Sequence, residues 1–202
     1  MRRVVITGMG IYSCIGKNLD EVKESLRNGR SGIGIDPARK ELGYFSSLTG
    51  ILERPDLKKL LDRKKRHCLP EQGEYAYMAT VEAFRNAGID EAFLDANEVG
   101  ILYGNDSSAA PVIHAVDVIR AKKNTALVGS ASIFQSMNST VTMNLSVIFK
   151  LRGVNFTIAG ACASGSHAIG MGYLLIKSGL QDCILCGGAQ EVNPYAVGSF
   201  DG

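Results

Sequence analysis

The chain has 202 residues, of which 46% are hydrophobic and 21% charged, with a formal net charge of +2. That is the balance of an ordinary globular chain with enough apolar matter for a real core, and it gives no electrostatic reason to expect a nucleic-acid partner. No apolar run reaches membrane-spanning length and Met1-Arg2-Arg3-Val4-Val5-Ile6 enters a strand pattern too early for a secretory signal, so no membrane association and a cytoplasmic location are expected.

Arg3 to Gly16 reads as a strand followed by a glycine-rich turn. The glycines invite a dinucleotide-binding reading, which fails: the fingerprint needs a third glycine where Ser13 stands, and no helix opens directly on them. A helix follows from about Leu19 to Asn28, with Val22 and Leu26 on one face and Gly29 as its stop. Gly29 to Pro70 is loop-rich, with a short helix expected over Leu57 to Arg66. It ends in the densest charge run, Asp62 to His67, which reads as a solvated helix face or as a docking patch for an acidic partner. Glu74 to Ala87 has the period of a helix with Tyr77, Val81 and Phe84 on its apolar face, closed by Gly88.

Val99 to Gly104 is a short buried strand, and its exit, Asn105 to Ala110, is small and polar, as loops that line sites in α/β folds commonly are. Val112 to Lys123 reads as a helix with a second basic cluster at its end. Ser136 to Phe149 reads as another, with Met137, Val141, Leu145 and Ile148 as its stripe. The five cysteines are scattered and odd in number, which argues against a disulfide framework. Cys183 and Cys186 have the spacing of half a zinc site but lie in a strand, where positions three apart face opposite ways, so no metal is expected.

The most informative stretch is Gly153 to His167. Val154, Phe156 and Ile158 alternate as a strand, Ala159-Gly160-Ala161 turn, and a helix runs from Ala163 to about Lys177. Cys162 sits at the turn. A strand-to-helix turn among small residues exposes a nucleophile, and the amino end of a helix favours negative charge. The helix holds so many glycines, alanines and serines that close backbone packing is expected, with the helix buried centrally. Alternating strands and helices give an α/β architecture.

Five segments occur in order: Val4 to Gly10, Asp62-Arg63-Lys64, Gly153 to Ile158, Ala161-Cys162-Ala163-Ser164-Gly165, and Cys186 to Glu191. Together they resemble the N-terminal half of the β-ketoacyl-acyl-carrier-protein synthases, the elongating type more than the initiating type. The resemblance spans residues 1–202 and implies a thiolase-like fold, this chain supplying an N-terminal βαβαβαββ half with loop and helix insertions. It implies that Cys162 accepts an acyl chain from the phosphopantetheine of acyl carrier protein for decarboxylative Claisen condensation with a malonyl thioester, with no other cofactor. Ser107 and Met137 then fall in the acyl pocket, and Lys64, Lys65, Arg66, Lys122 and Lys123 on the carrier protein's landing surface. The loop at Asn105 to Ser108 departs from the family, which is glycine-rich there, and so bears on chain length.

The family's two catalytic histidines and its lysine lie in a C-terminal half that is not in this sequence; His67, His114 and His167 are outside those motifs, and His167 reads as structural or as a packing neighbour. The chain by itself is therefore expected to be an inactive fragment, exposing apolar surface where a second half packs, and to form a homodimer through the Gly153 to Ala159 strand. Two other readings stand beside this one: a non-condensing partner subunit of a heterodimer, which commonly lacks the cysteine, and a thiolase relative acting on acyl-coenzyme A.

Overall fold

The computed structural model describes residues 2–202. In chain order it forms α1 (Leu19–Arg27), β1 (Ile33–Ile35), α2 (Pro37–Glu41), β2 (Leu48–Gly50), α3 (Arg63–Cys68), α4 (Glu71–Ala87), α5 (Glu91–Ala96), β3 (Val99–Gly104), α6 (Ala109–Lys122), α7 (Ser132–Ser136), α8 (Thr140–Phe149), β4 (Asn155–Ile158), α9 (Ser164–Lys177), β5 (Cys183–Gly188) and α10 (Pro194–Val197).

Three parallel strands in the order β4-β3-β5 make the central sheet, while β1 and β2 pair as a separate antiparallel ribbon. All six residues of β3 are buried, as befits a parallel strand covered on both faces. Alternation sends Val99, Ile101 and Tyr103 toward the main core, which they share with Tyr77 and Phe84 of α4 and Val141 and Leu145 of α8. Phe149 closes that layer, stacked on Tyr77 at 5.6 Å and edge-on to Phe84 at 5.2 Å. On the opposite face α9 packs against β3 and β5, so the sheet lies between two helical layers.

Most expected elements form, with boundaries shifted by a few residues. The strand expected at the N-terminus does not: Arg2 to Tyr12 has no ladder partner among the described residues. It runs extended along α4, held by Met9 N–H donating to Asn86 Oδ1 (3.1 Å) and Ile11 N–H to Glu82 Oε2 (3.0 Å), while Arg2 pairs with Asp182 ahead of β5. A Cβ on Gly8 or Gly10 would collide with the α4 backbone at Ala83 or Ala79, so these glycines serve close approach to a helix rather than a nucleotide.

Two helices also differ from expectation. The one expected over Leu57 to Arg66 begins at Arg63, because Asp62 caps it by accepting from Lys65 N–H (2.9 Å). The one expected over Ser136 to Phe149 begins only at Thr140, as α8; Ser136 ends the separate helix α7, and Met137 is extended between the two. The Met137 and Asn138 carbonyls are taken by Ser108 Oγ and Asn105 Nδ2, and these tertiary bonds outweigh the local helical period.

The small-residue helix α9 is buried on one face only, through Ser164, Ala168 and Gly172. Its other face carries Ile169, Met171, Tyr173 and Leu174 in the open, the last at 55% exposure. Central burial is thus corrected to burial of one stripe. Val5, Ile6 and Phe156 are likewise exposed, Ile6 at 77%.

Candidate active site at the β4–α9 turn

The three parallel strands end level with one another: Gly104 of β3 is in register with Ile158 of β4 and with Gly188 of β5. The chain leaving β4 passes Ala159 and Gly160 into a single 3₁₀ turn, Ala161–Ala163, which runs straight into α9. Cys162 lies in that turn and is exposed. Ala161 before it has φ +47°, a left-handed conformation that costs a non-glycine residue roughly 1 kcal/mol.

Ser164 holds the turn from within. Its Oγ donates to the Ala161 carbonyl (2.7 Å) and accepts from Gly160 N–H (2.8 Å), spanning both sides of Cys162. The amino end of α9 is in turn set directly on the strand ends. A Cβ on Gly104 would collide with the backbone of Ser164 and Gly165, and one on Gly188 would stand 2.9 Å from Gly165 Cα. Cys162 is therefore presented at the carboxyl edge of a parallel sheet, where α/β folds commonly build ligand sites, and at the positive end of a helix.

His167, one turn into α9, stands beside the same turn: a Cβ on Gly160 would meet its Nδ1 at 2.8 Å.

Ser107 and Met137 lie on two segments that the structure links to one another and to the end of β4. Asn105 N–H donates to the Ile158 carbonyl (3.3 Å), tying the start of the 105–108 loop to the end of β4. Ser108 Oγ donates to the Met137 carbonyl (3.4 Å), and Asn105 Nδ2 to the Asn138 carbonyl (2.7 Å). Met137 is 38% exposed, and Ser107 is half-buried.

The two basic clusters sit on separate elements. Lys64, Lys65 and Arg66 ride on α3; Lys64 is exposed, Lys65 lies 3.9 Å from its capping Asp62, and Arg66 donates through Nε to the Leu61 carbonyl (3.1 Å). Arg63, Arg66 and His67 line an open groove with Pro55, Leu57 and Glu74. Lys122 ends α6 and Lys123 caps it, both exposed, where cations complement the helix carboxyl end. The short helix α7 packs against both α3 and α6, and its Gln135 donates to the His67 carbonyl (2.8 Å).

Cys183 and Cys186 are free, half-buried thiols. Burial raises both, Cys186 to about 11 with a further push from Cys183, so they stay protonated near neutrality. No three metal-ligating side chains converge among the described residues. No helix among them is long and apolar enough to cross a membrane.

Residue-by-residue reading of the sequence missed two buried polar groups behind the 105–108 loop, Gln72 and Glu191, each at most 1% exposed. Glu191 closes the Cys186-to-Glu191 segment, and its one sequence signal was a charged residue three positions beyond a strand.

A family model described as "Beta-ketoacyl synthase, N-terminal domain" matches residues 1–202. The 3-oxoacyl-[acyl-carrier-protein] synthase 1 of Haemophilus influenzae is 35% identical over all of this chain and half of its own length. A crystal structure of a β-ketoacyl synthase from Burkholderia phymatum superposes with a TM-score of 0.88 at 31% identity, covering 100% of this chain and 50% of that one. A type II polyketide ketosynthase solved with its acyl-carrier protein shares the fold, with a TM-score of 0.77 at 21% identity over 95% of this chain and 51% of that one. The chain thus spans about half the length of the curated relatives it matches. Its α/β fold is that of the thiolase-like ketosynthases, and the chain belongs to the β-ketoacyl synthase N-terminal domain family.

Proposed function

We propose that this chain is the nucleophile-bearing part of a condensing enzyme of fatty-acid or polyketide synthesis, with Cys162 as the residue that takes the acyl chain. The observation that carries the reading is the exposed Cys162 on a strained turn, at the amino end of a helix seated on the ends of a parallel sheet. Its sulfur attacks the carbonyl of a pantetheine thioester. The tetrahedral oxyanion collapses, the pantetheine thiolate leaves, and an acyl-Cys162 thioester remains. The backbone N–H of Cys162 is one donor to that oxyanion. Loss of carbon dioxide from a malonyl thioester then supplies the carbon nucleophile that displaces Cys162 in forming the 3-oxoacyl product.

Ser107 and Met137 wall the acyl chain's pocket in this reading. Lys64, Lys65, Arg66, Lys122 and Lys123 receive an acidic acyl carrier protein through long-range attraction and rim contacts. The carrier's phosphopantetheine delivers the substrate, so the enzyme takes no further cofactor. Residues 1–202 act as one N-terminal unit, in the cytoplasm. β4 is an edge strand of the described sheet with Phe156 52% exposed, which supports a homodimer joined along that edge. The retained cysteine disfavours a non-condensing partner subunit.

Substitution tests the reading: a full-length Cys162→Ala protein is expected to lose primer extension while keeping its fold by circular dichroism. Extension at the wild-type rate would refute it.

A further inference from the structure

We propose that Glu191 is a positioning residue that fixes the Ser107 loop as a rigid wall of the acyl pocket and so sets which chain lengths the site accepts. This rests on the reading of Cys162 and Ser107 above, and adds a residue to it.

Glu191 lies just beyond β5, 1% exposed, and forms no ion pair among the described residues. A buried carboxylate without a cation is costly unless hydrogen bonds replace its water. Here four donors do so. Oε1 accepts from Ser107 Oγ (2.8 Å) and Ala109 N–H (2.6 Å), and Oε2 from Ala110 N–H (3.2 Å) and Asn193 Nδ2 (2.7 Å). Two of the four are the first amides of α6, whose positive end favours the charge. The third is the Ser107 hydroxyl, and that one does nothing for the helix. It draws the loop's side chain onto an anchor that is itself held through Asn193 to Glu71 of α4 (3.0 Å).

Gln72 completes the clamp from behind, donating through Nε2 to the Ser107 carbonyl (3.1 Å) and Ser108 Oγ (2.7 Å). Ser108 and Asn105 carry the same network on to the Met137 and Asn138 carbonyls. A loop bonded in this way cannot move aside for a longer chain without breaking bonds to a buried charge. Replacing the carboxylate by an amide places an N–H₂ where one pair of donors now points, so the wall loosens while the shape is kept.

The test uses the full-length protein as wild type, Glu191→Gln, Ser107→Ala and the double variant. Each receives butanoyl, octanoyl and dodecanoyl carrier-protein thioesters, and kcat/KM is measured for all three once mass spectrometry has examined wild-type Cys162 for the acyl group. Glu191→Gln is expected to change the ratio of best to worst chain by about tenfold. Ser107→Ala is expected to change it in the same direction, and the double variant no further than the larger single effect. An equal loss on all three thioesters would overturn the proposal, leaving Glu191 a helix cap only; additive effects of the two substitutions would overturn it too. Should Glu191→Gln not fold, Ser107→Ala alone decides, an unchanged ratio being the contrary result. Wild-type protein in which Cys162 takes no acyl group would sink the underlying reading, and this inference with it.

Discussion

Gly165, in the first turn of α9, and Gly188, the last residue of β5, meet backbone to backbone: a Cβ on Gly188 would stand 2.9 Å from Gly165 Cα. This contact seats the amino end of the helix on the sheet edge, directly after the turn that carries Cys162. Gly188→Ala is therefore expected to destabilise the protein by about 1–3 kcal/mol in a denaturant titration, the range for overpacking, and to slow alkylation of Cys162. Gly170 offers the contrast, since a Cβ there meets nothing. Gly170→Ala is expected to be neutral or to stabilise by up to roughly 1 kcal/mol, through helix propensity alone.

The buried thiols give a pH dependence of known sign. Burial lifts Cys186 from 9.0 to about 11, so the folded protein keeps a proton that the unfolded chain gives up first. That contribution to stability is whole below pH 9 and is lost as pH rises through about 11. Denaturant midpoints measured across this window should fall more steeply for the wild type than for Cys186→Ala. Parallel curves would show that the thiol is not shielded as the packing of Gly172 against its sulfur requires.

Lys64 is exposed and free of ion pairs among the described residues, on a helix whose start is set by the Asp62 cap. Lys64→Glu should thus leave stability within about 0.5 kcal/mol, as surface changes do. Association with an acidic carrier protein should slow by about tenfold at low ionic strength, the deficit closing as salt rises. A salt-independent loss, or none, would remove α3 from the docking surface.

Much of the fold was legible because local pattern and tertiary burial agree. The six apolar and glycine residues of β3, the apolar period of α4, and the small-residue turn before α9 each state their environment directly. The break between α7 and α8 was not legible, since Met137 continues an apolar stripe and only bonds from Asn105 and Ser108 interrupt it. The N-terminal segment has strand composition yet lies on α4, because two of its amides are taken by the side chains of Glu82 and Asn86. At the site, Cys162 was visible through its neighbours in sequence. Glu191 was not, because its partners Ser107 and Ala109 are more than 80 residues away.

The central claim is that Cys162 takes the acyl group, and peptide-level mass spectrometry tests it most directly. Full-length protein is mixed with an acyl carrier-protein thioester, quenched in acid and digested. The account predicts the acyl mass on the peptide containing Cys162, lost on treatment with hydroxylamine and missing in Cys162→Ala. An acyl group found on Cys14, Cys68 or another side chain instead, or chain extension that proceeds with Cys162 unmodified, would contradict it.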